Sequence, residues 1–69
     1  METITLTAPD ISCAHCEATI EREVGGMEGV RAVSVDIPTQ RVEVSFDPSR
    51  VSEGDIVARM DEEGYPVAR

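Results

Sequence analysis

The chain has 69 residues, 14 acidic and 6 basic, for a net charge of −8, and 41% of it is apolar. This length predicts one small domain, residues 1–69, with a thin core. The acidic balance excludes the basic footprint of a nucleic-acid binder and any attraction to an anionic membrane surface, and a single His, a single Tyr and no Trp leave little from which to build a deep catalytic pocket, so no enzymatic activity is expected.

The N-terminal stretch Met1–Thr7 lacks the basic and apolar segments of a secretory leader, from which a cytoplasmic location is expected. Residues 3–8 alternate, with Ile4, Leu6 and Ala8 on one face of a half-buried strand that Pro9-Asp10 ends. From about Ala14 the period becomes helical. Cys16, Ile20, Val24 and Met27 recur every three or four residues, while Glu17, Glu21, Arg22 and Glu23 fall on other faces. Gly25-Gly26 stops this helix in the manner of a C-terminal glycine. Residues 30–37 alternate again, with Val33, Val35 and Ile37 on one side and Ser34 and Asp36 on the other. Pro38-Thr39-Gln40 is a turn, and residues 41–46, with Val42, Val44 and Phe46 inward, complete a hairpin.

After Asp47-Pro48, Ser52 has the character of an N-cap, Asp55 of a capping-box acid, and Val51 and Ile56 of a hydrophobic staple. A second helix burying Ile56, Val57 and Met60 runs to about Glu63 and ends at Gly64, and a short last strand is expected around Val67-Ala68. The order β-α-β-β-α-β predicts an α+β, ferredoxin-like fold: a four-stranded antiparallel sheet with two helices on one face.

Cys13 and Cys16 are the only cysteines, spaced C-x-x-C. Two thiols are too few for a four-cysteine zinc or iron–sulfur site, and a disulfide across so short a loop would staple almost nothing. A dithiol metal site and a redox pair of the thiol-oxidoreductase kind remain. The pair sits between the first strand and first helix, where unpaired N–H groups and the helix dipole favour thiolates, the form that binds metal. Residues three apart at a helix start share a face, so both sulfurs can converge on one ion. Two soft ligands suit Cu(I); Zn(II) prefers four ligands.

The run Ile11-Ser12-Cys13-Ala14-His15-Cys16, followed by Met27-Glu28-Gly29-Val30, Val33-Ser34-Val35, Phe46-Asp47-Pro48 and Glu63-Gly64-Tyr65, resembles the heavy-metal-associated domain over nearly the whole chain. At this length it resembles bacterial copper chaperones of the CopZ type. The resemblance implies Cys13 and Cys16 as metal ligands, Tyr65 as a neighbour that screens the site, and a copper-transporting P-type ATPase metal-binding domain as the partner that receives Cu(I) through a shared three-thiolate intermediate. The family's usual Met two residues before the first Cys is here Ile11, apolar and of similar volume.

The remaining candidates divide between site and scaffold. His15 is expected to point away from the sulfur face; its functional option is a third ligand in a metal-bridged homodimer or a contact with a docking partner. Met27 and Met60 fall on the apolar stripes and are expected in the core. Ser12 occupies the position where some zinc-exporting relatives carry Asp, and Asp10 is expected to initiate the turn before the loop. Asp61-Glu62-Glu63 forms either a solvated face or part of an acidic docking surface. The expected function is a cytoplasmic Cu(I) metallochaperone. The alternatives are a Zn(II), Cd(II) or Hg(II) carrier of the same fold and a small thiol oxidoreductase.

Overall fold

In a computed structural model, which describes residues 1–68, the chain forms β1 (Glu2–Thr7), α1 (Ala14–Gly25), β2 (Val30–Asp36), β3 (Arg41–Phe46) and α2 (Glu53–Glu62). The strands make an antiparallel sheet in the order β1-β3-β2. Alternation dictates its two faces. Ile4 and Leu6 stand opposite Val44 and Val42, which in turn pair with Val33 and Val35, and all six point toward the core. Thr3, Thr5, Glu43, Ser34 and Asp36 face outward and are exposed.

The helices cover the apolar face. Ile20 and Val24 of α1 and Ile56 and Met60 of α2 join Val42, Val44 and Phe46 in one buried cluster. Met60 is fully buried and Met27 packs half-buried against the same cluster, as the apolar stripes predicted. Burying side chains of this size contributes about 1.5–3 kcal/mol each. At the start of α2 the Ser52 hydroxyl accepts from the Asp55 amide, and Asp55 accepts from the Ser52 amide, each at 3.1 Å. The capping box is thus formed, and Val51 and Ile56, the expected staple residues, are both buried in the core cluster.

Three features depart from the expectations. The sheet has three strands among the described residues, not four: the segment after α2 contributes one bridge, Ala68 to Thr7, closed by the Ala68 amide on the Thr7 carbonyl at 2.7 Å. Pro66 has no N–H to give to a ladder, and only Val67 and Ala68 of the described residues follow it. Secondly, β2 bulges at Arg31, so that Val30 pairs with Phe46 and Ala32 with Ser45. Val30 and Val33 therefore both pack against the core despite their odd spacing. Thirdly, α1 is capped by Gly26 in an ordinary right-handed conformation (φ −82°). The left-handed glycine of this connection is Gly29, at φ +95°, where a Cβ would stand 2.8 Å from Arg50 Cβ.

Candidate metal centre

Both cysteines sit where β1 hands over to α1. Pro9-Asp10 turns the chain, with the Ile11 amide donating to the Ala8 carbonyl at 3.1 Å, which bears out the turn expected at Asp10. Ile11 then drives into the core, 1% exposed. The substitute for the family's usual Met therefore anchors the loop by burial. Cys13 is the N-cap of α1, in extended conformation (φ −157°, ψ 172°), and makes no side-chain capping bond. Cys16 follows at the third helical position.

The two Sγ atoms lie 3.7 Å apart, and both thiols are free. Cys13 is exposed, whereas Cys16 is 7% exposed. With metal–sulfur bonds of about 2.3 Å, a tetrahedral angle at a shared ion requires a sulfur separation of about 3.8 Å, and a linear one about 4.6 Å. The observed separation matches the tetrahedral angle, and the exposed Cys13 is the one free to swing outward toward a wider one. Among the described residues no cluster of three His, Cys, Asp or Glu side chains surrounds any point, so His15 and Asp10 do not complete the pair into a larger site. His15 is exposed, as expected of a residue one helical step from the sulfur face.

The Cys16 thiol is held down at about 6, against a usual 9.0. The largest cause is the Tyr65 hydroxyl donating toward Sγ, followed by the backbone N–H of Ser12; the Cys13 thiol and N–H add to it, and burial acts the other way. The Ser12 contribution comes from its main chain. Tyr65 is pushed up from 10.0 for the reciprocal reason, since ionising it would remove the donor from beside Cys16. Of the causes expected from sequence, the N–H groups at the helix start do lower the Cys16 value, through the Ser12 and Cys13 amides, after the larger effect of the Tyr65 hydroxyl.

The end of α2 delivers Tyr65 to this position. Gly64 adopts φ +90°, the Gly64 amide donates to the Asp61 carbonyl at 3.1 Å, and the Tyr65 amide donates to the Met60 carbonyl at 2.9 Å. This is a Schellman motif, and it turns the chain back toward α1. Thr19 flanks the Tyr65 hydroxyl from α1, and its Oγ1 donates to the His15 carbonyl at 2.9 Å. Sequence reasoning missed Thr19, although a buried hydroxyl three residues after Cys16 on the inner stripe of α1 was a readable signal.

Residues 5–66 match the heavy-metal-associated domain. The chain belongs to that family. Across all 69 residues, and the whole of the relative, it is 42% identical to a copper chaperone, CopZ, of Bacillus subtilis. It is 31% identical to the periplasmic component of a mercuric transport protein of Serratia marcescens, a match covering 94% of this chain and 71% of the relative. Its fold superposes on the crystal structure of a copper-binding domain from HMA7, a P-type ATPase, with a TM-score of 0.94 and 29% identity over 99% of this chain and 92% of the other. The two relatives named are a copper chaperone and a mercuric transport component, and a role in metal binding and transport follows for this chain.

Proposed function

We propose that the protein is a cytoplasmic Cu(I) metallochaperone. Cys13 and Cys16 hold one ion as a dithiolate and pass it by stepwise ligand exchange to the C-x-x-C of a copper-transporting P-type ATPase domain. One observation carries this reading: two free thiols 3.7 Å apart, one exposed and one screened, with no third His, Cys, Asp or Glu among the described residues to fix the ion in place. Two thiolates match the softness of Cu(I), and an unfilled coordination sphere lets an incoming thiolate bind before an outgoing one leaves. Full-length similarity to a copper chaperone and the shared fold of a P-type ATPase copper domain support the same choice of cargo and partner. Making or breaking no substrate bond, the protein acts as a carrier and not as an enzyme.

In the proposed transfer Cys13 leads. Its exposure brings its sulfur to a partner first, while Cys16, with Tyr65 donating to it, retains the ion until the partner's second thiolate arrives. Two copies bridged by the metal would offer four thiolates, and there the exposed His15 becomes available as an additional contact. Similarity to a mercuric transport component favours a second cargo, Hg(II), for the same two sulfurs.

Anaerobic competition of Cu(I), Zn(II) and Hg(II) against chelators of known affinity tests this. Stoichiometric Cu(I) retention that disappears in a Cys13→Ser, Cys16→Ser variant is expected. Tighter retention of Zn(II) or Hg(II) than of Cu(I), each relative to its chelator, overturns the copper assignment.

A further inference from the structure

Gln40 closes the turn between β2 and β3, its amide donating to the Ile37 carbonyl at 3.2 Å. It is the only non-glycine among the described residues with a positive φ, at +60°. A side chain in that region costs about 1 kcal/mol relative to glycine, so its retention calls for a compensating role of the side chain. The contacts supply one. Gln40 Nε2 donates to the Pro9 carbonyl at 2.7 Å and to the Ile11 carbonyl at 3.0 Å, while the Gln40 carbonyl accepts the Ala8 amide at 2.9 Å. Two facing carbonyls demand the amide nitrogen rather than the amide oxygen, which fixes the orientation of the group. Three hydrogen bonds from one residue thus span Ala8–Ile11, the segment that ends one residue before Ser12 and two before Cys13.

We propose that Gln40 is a positioning residue for the metal loop: its side-chain amide, bonded to the Pro9 and Ile11 carbonyls, holds the loop in the conformation that keeps Cys13 within chelating distance of Cys16. The inference rests on the metal-carrier reading above, and adds a residue about 30 positions away in sequence that touches neither sulfur. Ile11 fixes the loop from inside by burial and Gln40 fixes it from outside by hydrogen bonding. Without the amide the loop samples more conformations, so chelation carries an ordering cost that the wild type has already met.

Two variants isolate the amide. Gln40→Gly removes it and relieves the positive φ, so thermal stability is expected to hold. Gln40→Glu keeps the reach and removes the donors, placing a carboxylate against two carbonyl oxygens. In the metal-free protein, amide hydrogen exchange at Ile11, Ser12 and Cys13 is expected to quicken several-fold in both variants. In anaerobic competition with a chelator, Cu(I) retention is expected to fall about 3- to 10-fold, the scale of losing one hydrogen bond of ordinary net strength. A Gln40→Gly protein that melts with the wild type and shows wild-type loop exchange and Cu(I) retention overturns the proposal. If wild-type protein fails to retain Cu(I), the carrier reading falls, and the exchange measurement still decides whether Gln40 clamps the loop.

Discussion

At the N-cap and third helical positions α2 carries Ser52 and Asp55, whereas α1 carries Cys13 and Cys16. The first pair satisfies the helix: each side chain accepts an N–H of the other residue. The second pair leaves the N-cap side chain unbonded and turns both sulfurs to one another at 3.7 Å. The same two positions therefore serve stability in one helix and, in the proposed function, ligation in the other. The start of α1 forgoes a capping bond worth about 1 kcal/mol, and what it keeps in return is a pair of soft donors near open solvent.

The comparison breaks most sharply if metal retention survives loss of the thiols. Replacing both by serine is expected to abolish stoichiometric Cu(I) retention while the far-ultraviolet circular dichroism stays that of the folded protein. Next in size is the effect of unmaking the α2 cap. Ser52→Ala is expected to lower stability by about 1 kcal/mol, a fall in Tm of roughly 4–8 °C for a domain of this size, with Cu(I) retention unchanged. Thermal melting and chelator competition on the same sample separate the two outcomes.

Tyr65→Phe acts on the other helix start. Removing the largest cause of the low Cys16 value is expected to move its titration upward from about 6, measured by thiolate absorbance in the metal-free protein. The sign for stability follows. Cys16 ionises more readily folded than unfolded, so its contribution is complete above the ordinary value of 9.0 and is lost as pH falls through about 6. The denaturation midpoint of metal-free wild type should decline across that window, and the decline should be shallower in Tyr65→Phe. The smallest effect sharpens the comparison from the opposite side. Cys13→Ser places a good capping residue at the N-cap of α1, with an expected gain of about 0.5 kcal/mol in the metal-free protein, read by chemical denaturation.

Features set by neighbouring residues were legible in the sequence. The capping box at Ser52 and Asp55, the staple at Val51 and Ile56, the hairpin inward faces at Val42, Val44 and Phe46, and the position of Cys13 at a helix start all follow from spacing alone. The placement of Tyr65 beside Cys16 was legible only through family resemblance, because a Schellman turn at Gly64 has to carry it across to α1. Tertiary events stayed hidden. The bulge at Arg31 changes the parity of β2 without a sequence marker such as Gly, and among the described residues the fourth strand is the single Ala68–Thr7 bridge, after a Pro66 that has no N–H to donate. Gln40 reads as an ordinary turn residue until the loop it clamps is brought beside it.

X-ray absorption at the copper edge, on protein loaded anaerobically with one equivalent of Cu(I), tests the central claim most directly. A first shell made of sulfur, absent when Cys13 and Cys16 are both replaced by serine, is the predicted result. A shell dominated by nitrogen or oxygen, or a wild-type spectrum from the doubly substituted protein, would contradict it.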